Sequence, residues 1–212
     1  MLAAAAEVIA ERGLAATRIA DVAARAGTSP PAVLYWFDSK DELLAEALTV
    51  DEERWYTELT ERMAALAHPR ERLRMILEAS AREYDLTLWM ELWTRALRDR
   101  PTSLARKRLD GRWRAEIANV IREGQAAGEF GEADAEETAL VLASLMDGLA
   151  VQVTLRDPAV GSQRMLAMIV EVAERLLDAD LEAAADEKER EVTSMVRETV
   201  PHADTELRRE LE

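Results

Sequence analysis

The 212-residue chain is long enough to bury a full core, and at 49% apolar and 33% charged residues it reads as globular, not disordered or fibrous. It holds no cysteine, which excludes disulfides, thiolate metal sites and a cysteine nucleophile. Its formal charge of -15 argues against general affinity for nucleic acid, although charge is uneven: the segment from Asp178 onward is acidic and Arg95 to Arg114 is basic.

Ala, Leu, Glu and Arg dominate, a mixture that favours helices. Helix 1 is expected from Leu2 to Arg12, with Leu2, Ala5 and Ile9 on one face and Gly13 as its stop. Glu7 and Glu11 interrupt its apolar run and no basic segment precedes it. It therefore predicts neither a signal peptide nor a membrane span, and a soluble, cytoplasmic protein with no membrane partner is expected. Helix 2 follows over Arg18 to Ala26, with Ile19, Val22, Ala23 and Ala26 on one face, Thr17 as N-cap and Gly27 as terminator.

Thr28-Ser29-Pro30-Pro31 then opens a short helix 3, to Phe37. Ser29 is a good N-cap, and both prolines fall in the first turn, where backbone N–H groups lack intrahelical partners anyway. Val33 and Phe37 stack on its inner face. Ser39-Lys40-Asp41-Glu42 reads as a capping box that opens helix 4, to about Ala67. Further helices are expected from Pro69 to Asp85, Leu86 to Asp99, Pro101 to Gly128, Asp134 to Arg156 and, capped by Ser162, to Asp178. No strand pattern or repeat is visible. The fold class is all-α with about nine helices: a helix-turn-helix unit over 1–46, a ligand-binding and dimerisation unit over 47–178 and an acidic tail over 179–212. Val192, Met195 and Val196 allow a tenth helix in that tail.

Two short helices joined by a Gly-containing turn, with a supporting helix before them, form a unit that pushes its second helix into a major groove about 12 Å wide. Thr17, Val22-Ala23, Ala26-Gly27, Ser29, Tyr35-Trp36-Phe37, Ser39-Lys40 and Leu43 resemble the N-terminal signature of the TetR family of transcription regulators, over about Ala3 to Leu48. From Gly124 to Asp157 the chain is similar to the BetI-like branch in its C-terminal domain. The resemblance implies that Thr17, Tyr35, Trp36 and Lys40 touch DNA phosphates and that Ser29, Pro30, Pro31 and Ala32 face base edges; Arg18 and Leu34 complete the DNA-facing set. Each of three residues has a plainer reading: Thr17 as a cap, Trp36 as packing and Lys40 as a solvated cation. Leu34 stands where the family often has tyrosine, which removes a phosphate hydrogen bond. Pro30 and Pro31 offer no donors, so base readout is expected to lean on thymine methyls and DNA shape. The basic arm that usually precedes helix 1 in such regulators is absent, and weaker DNA binding is expected.

The helix 134–156 carries Leu140, Val141, Leu142, Leu145, Met146, Leu149 and Val151, apolar on nearly every side, so it needs partners on two faces. One is its own domain. A second subunit is expected on the other, together with Met165, Ile169, Val172 and Leu176 of helix 162–178, giving a homodimer that reads an inverted-repeat operator in double-stranded DNA. Tyr84, Trp89, Trp93 and Trp113, with Met90 and Met146, suit either an ordinary helical core or a ligand pocket. Glu91 and Asp147 add negative charge beside tryptophan faces, which suits a cation. The BetI-like resemblance implies a quaternary amine or polyamine as the small-molecule effector. That effector is expected to shift helix 4 and release DNA, making the protein a repressor. No cofactor and no metal site are expected, and His68 and His202 are too isolated to support an enzyme. The remaining rival is a helical ligand-binding protein that has lost specific DNA binding. The basic stretch Arg95 to Arg114 reads as a solvated face paired with acidic surface, not as a second nucleic-acid patch.

Overall fold

The computed structural model describes residues 1–13, 16–82 and 86–181. Among these, nine α-helices account for the regular structure: α1 (Leu2–Arg12), α2 (Ile19–Arg25), α3 (Pro30–Trp36), α4 (Lys40–Ala64), α5 (Pro69–Arg82), α6 (Thr87–Ala96), α7 (Arg100–Ala126), α8 (Ala135–Thr154) and α9 (Ser162–Leu177). The all-α class, the helix order and the helix-turn-helix at the start agree with the sequence reading. The boundaries are shorter by one to three residues at most ends, and the tenth helix proposed around Val192 to Val196 lies outside the described residues.

Local chemistry explains the starts and stops. Gly27 ends the α2 turn at φ 64°, a left-handed conformation that costs a side-chain-bearing residue free energy. The Ser29 hydroxyl accepts from the Ala32 N–H at 3.3 Å, with Pro30 and Pro31 filling the first two helical positions. Ser39 accepts from the Glu42 N–H at 3.1 Å, and the Glu42 carboxylate reaches back to the Asp38 N–H at 2.6 Å. Asp99 caps α7 through the Thr102 N–H at 2.8 Å, and Asp134 caps α8 through the Glu137 N–H at 2.9 Å. Two expected caps fail. Arg18, not Thr17, occupies the α2 N-cap position, because Thr17 turns its hydroxyl back to the Gly13 carbonyl at 2.8 Å. Gly161, not Ser162, occupies that of α9, and Ser162 is the first helical residue.

Two hydrophobic cores form. The N-terminal core gathers Ala5, Val8 and Ile9 of α1, Val22 and Ala23 of α2, Val33 and Phe37 around α3, and Leu43 and Ala47 of α4. The larger core gathers Leu59 and Met63 of α4 with buried side chains of α5, α7, α8 and α9, including Leu73, Ile76, Ile117, Ile121, Leu142, Met165 and Ile169. Helix α4 serves both. Its 25 residues, roughly 37 Å at 1.5 Å per residue, begin beside the short helix α3 and end inside the larger core. That continuity gives the two halves one shared rigid strut.

Candidate DNA-reading helix and effector pocket

Helix α3 is held from behind. Val33 is fully buried and Phe37 nearly so, which pins the inner face of α3 against α1, α2 and α4. Its other face is open: Leu34 is 51%, Tyr35 81% and Trp36 71% exposed, and Pro30 and Pro31 are exposed as well. Burying these apolar and aromatic side chains would be favourable, so their exposure on one short helix marks a contact surface. The Tyr35 and Trp36 rings meet edge to face with centroids 5.4 Å apart at the C-terminal end of α3.

Most of the expected DNA-facing residues therefore share one surface: Ser29, Pro30, Pro31, Leu34, Tyr35 and Trp36 are exposed, and Ala32 and Lys40 are half-buried beside them. Arg18 is exposed at the start of α2. Thr17 departs from the expectation. Its side chain is fully buried and bonded to Gly13, so it braces the turn before α2 and offers no hydroxyl to a phosphate. Two arginines of this unit are spent internally: Arg12 pairs with Asp21 at 2.9 Å, and Arg25 bridges Glu7 at 2.9 Å and Glu11 at 2.7 Å.

A second site lies between α4, α6, α7 and α8, a cleft of about 700 Å³ including its opening to solvent. Four tryptophans line it: Trp55 of α4, Trp89 and Trp93 of α6, and Trp113 of α7. Trp55 and Trp113 sit with ring centroids 5.4 Å apart, and Trp89 and Trp93 with centroids 6.2 Å apart. Three carboxylates, Glu52, Asp110 and Asp147, share the lining with Arg114. Glu52 accepts from the Trp89 indole N–H at 3.3 Å, and Asp110 pairs with Arg106 one turn earlier.

Electrostatics distinguish these acids. Burial raises the Asp110 carboxyl against the pull of Arg106 and Arg114. Asp147 stands at the cleft rim, exposed as a residue yet with its carboxyl crowded by protein. It is pushed up to about 6, first by that desolvation and then by the like charge of Asp110, against Arg114 and Arg106. The cleft lining thus brings three carboxylates and one guanidinium beside four tryptophans.

The expected ligand set is partly gathered. Trp89, Trp93, Trp113, Met146 and Asp147 converge on the cleft. Met90 is half-buried on α6 but is not among the lining residues. Tyr84 lies outside the described residues, as does the side chain of Glu91. Sequence reasoning missed Glu52, Trp55, Asp110 and Arg114. Glu52 and Trp55 are three apart on α4, and Asp110, Trp113 and Arg114 are three and four apart on α7; both pairings are same-face spacings that carry the signal. The basic stretch is used inside this domain: besides Arg106 and Arg114, the Arg112 guanidinium lies 4.0 Å from the centroid of the Tyr56 ring, whose hydroxyl donates to Glu116 at 2.8 Å.

The outer face of α8 is a further surface. Leu140 is 42% and Val141 40% exposed, and Gly148 is exposed on the same side. Leu176 of α9 is also exposed and Val172 half-buried. Met165 and Ile169, expected on an intersubunit face, instead lie buried in their own domain, because they share the inner stripe of α9 with Leu166, Val170, Ala173 and Leu177.

With this geometry in view, the chain can be set beside known proteins. Residues 1–47 match the model of bacterial regulatory proteins of the tetR family, and residues 69–178 match the model of the BetI-type transcriptional repressor C-terminal domain. The HTH-type transcriptional regulator BetI of Burkholderia lata is 29% identical over 182 residues, covering 81% of this chain and 89% of the relative. A transcriptional regulator from Saccharomonospora viridis, solved in complex with choline, superposes with a TM-score of 0.74 at 29% identity, covering 83% of this chain and 94% of that one. A TetR transcription regulator from Haloarcula marismortui gives 0.72 at 25% identity, covering 83% and 95%.

Proposed function

The chain belongs to the TetR family of transcription regulators, with a BetI-type C-terminal domain, and on that premise we propose that its effector is a small organic monocation of the quaternary-ammonium type. As a member it is a ligand-responsive, DNA-binding regulator, and repression is typical of the family. One observation carries the ligand class: four tryptophans and three carboxylates, against one guanidinium, line a single cleft. A quaternary ammonium has no N–H to donate, so it is held by ring quadrupoles and carboxylate charge together, the combination this cleft offers. The relative from Saccharomonospora viridis, which holds choline, supports the same class.

The regulator acts as a homodimer in the cytoplasm, joined through the outer faces of α8 and α9, and reads an inverted repeat in double-stranded DNA with one α3 per half-site. Tyr35, Trp36, Arg18 and Lys40 contact phosphates, while the first turn of α3 faces bases. Effector in the cleft presses on α4 through Glu52 and Trp55 and moves the α3 pair off its spacing. No catalysis is involved. The reading is tested by calorimetry with choline and with its neutral carbon isostere, 3,3-dimethylbutan-1-ol. Choline should bind at least tenfold more tightly, and DNA release should follow choline alone. Equal binding of the two would remove the cationic class; binding of neither would assign the cleft to another effector.

A further inference from the structure

The surface that α3 presents to DNA is chemically unusual. Around this seven-residue helix, Val33 marks the buried side. Successive residues advance by 100°, so Pro31 and Tyr35 form the stripe most nearly opposite, flanked by Pro30 and Leu34 on one side and by Ala32 and Trp36 on the other. Over the first five positions, Pro30 to Leu34, no side chain carries a hydrogen-bonding atom. Ser29, just ahead, turns its hydroxyl onto the Ala32 N–H as the helix cap. Polar side-chain atoms return at Tyr35 and Trp36, whose rings meet at the far end of the helix.

A readout built this way cannot pair bidentately with guanine or adenine edges, which needs arginine, lysine, asparagine or glutamine. The base-edge feature that an apolar surface recognises in the major groove is the C5-methyl group of thymine. We propose that Pro30, Pro31 and Leu34 are the specificity-determining residues of the DNA-binding unit, and that they select half-sites by 5-methyl groups on pyrimidines instead of by hydrogen bonding. The inference rests on the DNA-binding reading above. It adds a rule: the protein recognises the methyl and tolerates change in the rest of the base pair.

The test starts from the full-length protein and a pool of random duplexes, from which bound sequences are enriched. Enriched half-sites should carry thymines in consistent positions. Replacing those thymidines with deoxyuridine, which deletes only the methyl, should weaken binding about fourfold for each contacted methyl. Replacing a contacted T·A pair by 5-methylcytosine·guanine should hold affinity within about twofold, while unmethylated cytosine·guanine at the same position should weaken it about as much as deoxyuridine does. Pro31→Gln, which introduces an amide able to pair with adenine, should reduce sensitivity to deoxyuridine. Affinity unchanged by deoxyuridine, or enrichment of guanine-defined half-sites, would overturn the methyl rule and leave DNA binding intact. Enrichment of no sequence at all would overturn the DNA-binding reading beneath it.

Discussion

The Trp89 indole donates its N–H to the Glu52 carboxylate across 3.3 Å, and this bond ties the pocket helix α6 to α4, the helix that also packs Leu43 and Ala47 behind the DNA-reading unit. In the proposed mechanism Glu52 would face the bound cation, on the helix that runs from the cleft to the DNA-reading unit. Linkage requires that whatever the effector does to DNA affinity, DNA does equally to effector affinity. Glu52→Ala should leave effector-free DNA binding unchanged, because the residue is remote from α3. It should shrink the effector-dependent loss of DNA affinity at least threefold, read by fluorescence anisotropy with and without choline. An undiminished loss would place the coupling on another helix.

Asp147 gives the cleft a pH dependence. Its carboxyl is pushed up to about 6 from an ordinary 3.8 by desolvation and by Asp110. A raised carboxyl means the fold favours the protonated form. In the ligand-free protein, that stabilisation is present below about pH 4 and is lost as pH rises through about 6. A cationic effector has the opposite preference, because it needs the carboxylate. Choline affinity should fall about fourfold between pH 7.5 and 5.5, with proton release on binding near pH 6. Asp147→Asn should weaken binding at pH 7.5 and flatten this profile, whereas a neutral ligand should show no slope. Calorimetry in buffers of differing ionisation enthalpy measures the released proton directly.

How much of this was legible from the sequence depends on whether the signal was local. Helix starts at Ser29, Ser39 and Asp134 were legible because a cap and its first turn are contiguous in sequence, whereas Asp99, read as the end of the preceding helix, caps α7. The burial of Thr17 was not, since its hydroxyl donates to the Gly13 carbonyl four residues earlier, a bond that no periodicity encodes. In the cleft, Trp89, Trp93 and Trp113 stood out as a cluster along the chain. Trp55 did not, because it enters from α4, nearly sixty residues before its ring partner Trp113. The same applies to Asp110, which the eye passes over inside a basic stretch until burial reveals which charges face inward. Met165 and Ile169 were assigned outward because a helix that is apolar on one stripe does not say whether its own domain or a second subunit covers it.

The junction after α7 depends on the absence of a side chain. A Cβ at Gly124 would stand 2.1 Å from the Phe130 ring, and Phe130 is buried. The Gly124 carbonyl accepts from the Glu129 N–H at 2.8 Å and the Phe130 N–H at 3.2 Å, so ring and backbone are fixed together. Gly124→Ala should cost about 1–3 kcal/mol by overpacking. At about 2–4 °C for each kcal/mol in a protein of this size, a thermal melt will register it. Adding Phe130→Leu should recover part of the loss by opening space, and an unchanged melting temperature for the single variant would show that the ring moves aside freely.

Assembly is the step on which operator symmetry depends. Leu140 and Val141 lie on the outer face of α8 at 42% and 40% exposure, so charge placed there disturbs little within one subunit. Buried between two copies of α8 and α9, the same charge would be left without solvent or partner, a cost of several kcal/mol across a two-fold interface that repeats every substitution. Leu140→Glu with Val141→Glu should therefore yield a folded monomer, with helical circular dichroism preserved and sedimentation at half the mass. If each α3 reads one half-site, as proposed, that monomer should lose at least a hundredfold in affinity for a full inverted repeat yet little for an isolated half-site. A variant that still sediments as a dimer would move the interface elsewhere. A monomer that keeps full operator affinity would mean one subunit suffices, and the requirement for paired half-sites would go with it.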